Sequence, residues 1–169
     1  LTVEPVNDEE IYKLLAEVCK GVYERLSGDT SPSVVEFKPA EEVERALRNM
    51  AGLPRPARAR KGATVAPDPA ADLAKTFGSL DAFTAEFAAR LSLWRRSRRT
   101  IEFEGIDAKD GRQWLRSTFT GINNGRHEDF SLPGRITVIV PFALVPDARL
   151  SIAVIDTRGV DGSAVRPDI

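Results

Sequence analysis

The chain has 169 residues, enough for one ordinary domain with a buried core. Hydrophobic residues make up 42% and charged residues 29%, which excludes an intrinsically disordered chain. No apolar run approaches the roughly 18 residues that a membrane-crossing helix needs. Twenty-four Lys and Arg stand against 25 Asp and Glu, a formal net charge of −1, so no global field draws in nucleic acid or anionic lipid. The single cysteine, Cys19, cannot close an internal disulfide and is expected as a small core residue of a protein in a reducing, cytoplasmic setting. Leu1 opens the chain, and Pro167-Asp168-Ile169 closes it just after a strand-and-loop pattern. Both ends read as cut, so an internal piece of a longer protein is expected.

Leu1 to Glu4 fits a short strand ending at Pro5. Asn7 is a good N-cap, with Glu10 three residues on to complete a capping box. Ile11, Leu14, Leu15, Val18, Val22 and Leu26 then recur at helical spacing up to Gly28. Thr30 to Ser33 form a turn, and Val34, Val35 and Phe37 a short extended piece. Pro39 opens a second helix through about Met50, with Val43, Ala46, Leu47 and Met50 on one face.

From Gly52 to Pro69 the composition shifts to Pro, Ala, Gly and the basic residues Arg55, Arg58, Arg60 and Lys61, the pattern of a mobile linker or long loop. Asp68-Pro69 caps a short helix to Phe77, stopped by Gly78. Ser79 or Asp81 starts another, whose stripe is Leu80, Phe83, Phe87, Leu91 and Trp94. Arg90, Arg95, Arg96, Arg98 and Arg99 load its end, where they are expected to complement the helix dipole on a solvated face, with phosphate or lipid contact as the alternative. Ile101-Glu102-Phe103 is short and alternating, and Glu102 and Glu104 are expected to face solvent. A helix from about Asp110 to Ile122 places Trp114, Leu115 and Phe119 on one side. Trp94 and Trp114 both fall on apolar stripes and are expected as core anchors rather than base-stacking platforms. His127, the only histidine, stands in a polar loop far from Cys19, which gives little support to a zinc site or a Cys-His pair.

The last part changes character. Arg135 to Val140 is a β-branched run bounded by Pro133-Gly134 and Pro141, and Leu150 to Ile155 is a second run, nearly all apolar. Two such strands joined by a modest loop are expected to be antiparallel neighbours. The second, apolar on both faces, suits the interior of a sheet covered on both sides.

That run passes directly into Asp156-Thr157-Arg158-Gly159-Val160. An apolar strand entering D-x-x-G resembles the switch II motif of P-loop GTPases, and within them dynamin-like and related large GTPases. Thr157 and Val160 fit the latter pattern, whereas Arg158 departs from its usual Pro. The resemblance implies that Asp156 acts on Mg²⁺ through a water and that Gly159 offers its N–H to the terminal phosphate of GTP, with ATP not excluded. Asp156, Thr157 and Gly159 are thus the expected nucleotide site, and Asp156 the metal ligand. No G-x-x-x-x-G-K-[ST] and no N-K-x-D occurs, so the phosphate-cradling and base-reading segments are expected outside this chain, which alone hydrolyses nothing.

The expected architecture is α/β: a partial P-loop NTPase-type sheet, seen as an antiparallel strand pair at the C-terminus, with a large helical N-terminal portion. Residues 1–169 then form a partial GTPase-like domain truncated at both ends. Within it, 6–99 is a helical insertion with a flexible basic linker at 52–69, and 100–169 holds the strand pair and switch II. Expected partners are the nucleotide, with self-association or a membrane surface as further options. A non-catalytic helical module, binding an acidic partner or a membrane surface through Arg95–Arg99 and the Arg/Pro linker, is the rival reading.

Overall fold

A computed structural model describes residues 1–27, 39–57, 66–105, 108–140 and 152–157. The expected turn at Thr30, the extended piece around Val35 and the motif residues from Arg158 onward lie outside these.

Strand β1 (Thr2–Pro5) leads into helix α1 (Asp8–Ser27). Asn7 caps it as its spacing predicts: the side-chain oxygen accepts the Glu10 N–H at 2.8 Å. One face of α1 buries Ile11, Leu14, Leu15, Val18, Cys19 and Val22, while Leu26, the last of the expected stripe, is exposed as the helix leaves the core. Helix α2 (Glu41–Met50) starts two residues after Pro39 and has no side-chain cap at Ala40. It buries Val43, Ala46, Leu47 and Met50 as expected.

Asp68 caps α3 (Pro69–Ala74), accepting from Ala70 N–H at 3.0 Å, and Ser79 caps α4 (Leu80–Leu91), accepting from Ala82 N–H at 3.2 Å. Phe83 and Phe87 of α4 meet edge to face at 5.8 Å in the main core, which α1 to α4 build together. Helix α5 (Ala108–Asn123) packs on strand β2 (Pro133–Val140), and β3 (Ile152–Thr157) follows.

Among the described residues the sheet has three strands in the order β1-β2-β3, and both pairings are antiparallel. The expected pairing of β2 with β3 is observed, with Arg135 opposite Thr157 and Val140 opposite Ile152. What the local pattern does not show is that β1, from the other end of the chain, pairs with β2 through Thr2↔Thr137, Val3↔Ile136 and Glu4↔Arg135. Among the described residues β2, not β3, is therefore the middle strand. The register shifts between Glu4 and Pro5, leaving Gly134 as the extra residue, where a Cβ would come within 3.3 Å of the Glu4 carbonyl oxygen. A second, smaller core of Val3, Ile122, Phe130 and Ile136 joins this sheet to α5. The opposite face is open among the described residues, with Ile139 at 68% exposure. The chain is thus a mixed helix-and-strand protein, mostly helical, with its four N-terminal helices lying in sequence between two strands of one sheet.

Candidate functional site

Asp156 and Thr157 are the last two residues of β3. Asp156 stands opposite Ile136 in the ladder and Thr157 opposite Arg135, so the candidate metal ligand comes one residue before the strand ends rather than after it. Gly159, together with Arg158 and Val160, lies outside the described residues. At this end of the sheet Arg135 reaches Glu4 of β1 at 3.4 Å, an exposed ion pair.

P-loop sites hold Mg²⁺ with one or two protein groups, water and phosphate oxygens supplying the rest, so a single carboxylate at a strand end fits that donor set. Among the described residues no group of three or more His, Cys, Asp or Glu side chains comes together as a metal cage. No described helix is long and apolar enough to cross a membrane.

The arginine-rich stretch after α4 departs from expectation. Helix α4 stops at Leu91 because Ser92 adopts a left-handed conformation (φ 50°), and a 3₁₀ turn, Leu93–Arg95, follows. That turn rotates Trp94 off the apolar stripe, leaving it 77% exposed, with the Arg95 guanidinium 4.6 Å from its ring centre. Arg96 instead points inward and is buried. Its guanidinium donates to the carbonyls of Leu91 (2.9 Å), His127 (2.8 Å), Phe130 (3.1 Å) and Met50 (3.2 Å). Burial pulls its pKa below the usual arginine range, against the opposing charges of Glu128 and Asp129. The expectation of dipole complementation on a solvated face therefore fails for Arg96: its donors go to carbonyls gathered from separate segments.

A second buried arginine, Arg48, donates from Nε to Leu53 O at 3.0 Å and pairs with Glu44 at 3.4 Å and with Asp68. Glu44 also holds Arg55. The segment expected as one mobile linker, 52–69, is thus tied down on both sides of residues 58–65, and Leu53 is buried.

The other chemical candidates resolve simply. Burial pushes the Cys19 thiol from 9.0 up to about 12, against a hydrogen bond from Thr84, so the thiolate that reacts is suppressed. Glu102 and Glu104 are exposed, as expected. Trp114 is half-buried against Phe103, at 5.5 Å between ring centres. His127, in the loop that its sequence marks as polar, packs edge-on against Phe130 at 4.9 Å, with Nδ1 buried and unpartnered.

One feature escaped the sequence reading. A hollow beside α5 is lined by Gln113, Arg116, Ser117, Thr120, Gly121 and Arg126. The first five recur at helical spacing opposite the Trp114 and Phe119 side, a polar stripe that was legible. The approach of Arg126 depends on the turn that follows the helix. Compared with family models, curated proteins and solved structures, the chain finds no match.

Proposed function

We propose that this chain supplies the switch II segment of a P-loop GTPase-like domain, and that the longer protein hydrolyses GTP, or else ATP. The observation that carries the reading is the position of Asp156 near the carboxyl end of an apolar strand, itself hydrogen-bonded to a β-branched antiparallel neighbour. Asp156 would hold Mg²⁺, through a water, and the ion when bound would supply charge neutralisation to the phosphate oxygens. Gly159, outside the described residues, would by the resemblance let the backbone approach and offer its N–H to the terminal phosphate. Val160 offers no side-chain amide, so any group that orients the attacking water comes from elsewhere.

In the full-length protein, Asp156→Ala is expected to lower Mg²⁺-dependent GTP turnover on the order of a hundredfold. Turnover equal to wild type removes the assignment.

A second reading rests on the exposure of Trp94. An indole held outward, with Arg95 stacked on it, suits a non-catalytic contact with an acidic partner or an anionic membrane. Vesicle flotation with anionic and neutral lipid tests the membrane arm: binding lost in Trp94→Ala supports it, and equal binding to both lipids removes it.

A further inference from the structure

Helix α5 ends in a Schellman motif. Gly125 takes the left-handed conformation (φ 67°), its N–H donates to Ile122 O at 3.0 Å, and the Arg126 N–H donates to Gly121 O at 2.8 Å. The motif lays residue 126 over residue 121, a pairing that frequently carries a contact between two apolar side chains. Here one partner is a glycine and the other an arginine, so the space an apolar pair fills elsewhere is left open. A Cβ built at Gly121 meets nothing within 4 Å. The resulting hollow measures about 420 Å³.

Its chemistry is one-sided. Arg126 lines it from the turn and Arg116 from the helix, both exposed, with Gln113, Ser117 and Thr120 beside them and no carboxylate in the lining. Among the described residues neither guanidinium has a hydrogen-bond or ion-pair partner, whereas Arg48 and Arg96 are fully engaged. The turn bearing Arg126 is held firmly, since Asn49 donates to Asn124 O at 2.7 Å and Gly125 sits against Ala46 of α2. A helix C-terminus ordinarily disfavours anions. At this one, however, the carbonyls of Thr120, Gly121 and Ile122 already accept N–H groups from the turn.

We infer that the hollow between Arg116 and Arg126 is a binding site for a small organic phosphate. Two guanidinium forks match the charge and the oxygens of a phosphomonoester dianion. The arginine stems and threonine methyl offer carbon surface to an organic body. This inference does not rest on the nucleotide reading of Asp156.

The test is a backbone-amide NMR titration of this chain with phosphoserine, inorganic phosphate and succinate, at fixed salt. Phosphoserine is expected to shift the Gly121 and Arg126 amides saturably, with a Kd on the order of 1 mM, and succinate to bind about tenfold more weakly. Arg116→Gln and Arg126→Gln each weaken phosphoserine binding about tenfold. Gly121→Leu fills the hollow and abolishes binding with the melting temperature unchanged or raised, which separates blockage from misfolding. Non-saturating shifts, equal binding of succinate, or full affinity in the arginine variants or in Gly121→Leu overturns the site.

Discussion

Two buried arginines organise this molecule, and they are satisfied in opposite ways. Arg48, within the helical body, meets carboxylates at Glu44 and Asp68 as well as the Leu53 carbonyl. Arg96, at the seam between the helical body and the sheet side, meets only carbonyls, from the ends of α2 and α4 and from the turn before β2. A buried cation needs its donors used and its charge balanced, and neutral carbonyls achieve this only when several converge. The contrast teaches that the first region answers to acid, whereas the second answers to the shape of its side chain.

The largest effect is expected at Arg96. Arg96→Met strands several buried carbonyls and should cost about 3–5 kcal/mol, read as a drop in Tm on the order of 10 °C. Arg96→Lys should not rescue it, because one ammonium cannot reach separated segments. A loss under about 1 kcal/mol would show that water replaces the guanidinium and break the comparison. Next comes Gly125→Ala, which adds strain at positive φ and drives a methyl into the Ala46 carbonyl. Urea unfolding should show a loss of about 2–3 kcal/mol.

Asp68→Asn sharpens the Arg48 side, since Asn keeps the helix cap and removes only the charge. Burial alone would raise the Asp68 carboxyl, but the Arg48 hydrogen bond and charge, with the Ala70 and Ala71 amides, outweigh it and hold the pKa below 3.8. A depressed folded pKa contributes stability above the ordinary carboxylate value, and that contribution is lost as pH falls through the folded pKa. The variant should therefore be weaker by about 1 kcal/mol at pH 7 and converge on wild type once the pH has fallen through the folded pKa, by urea midpoints in neutral and acid solution. An unchanged gap at low pH would mean the pair is not electrostatic. The smallest effect is expected for Trp94→Ala, within about 0.5 kcal/mol, because the indole stands outside the core. A larger loss would place Trp94 in packing rather than on a contact surface.

Much of the fold was legible locally. Asn7, Asp68 and Ser79 announce helix starts by a mechanism that acts within three residues, and the structure uses all three. The stripes of α1, α2 and α4 identify their buried faces, and the β2–β3 pairing follows from adjacency. The stripe misled at Trp94, where the left-handed Ser92 ends the helix and periodicity loses its meaning. For the site, the sequence supplied Asp156, Thr157 and Gly159 as a motif. The first two fall at the end of β3, and Gly159 lies outside the described residues.

The sequence by itself determined the helices, their caps, their apolar faces and the two C-terminal strands, because periodicity and capping are settled by neighbours a turn or two away. Only the tertiary structure decided that β1 crosses the length of the chain to make β2 the middle strand, that Arg96 is drawn inside, and that Arg126 folds back over Gly121. Each of these depends on backbone carbonyls or N–H groups from distant or turn-bound segments. Every residue carries such groups, so their partners leave no mark in the identity of the side chains.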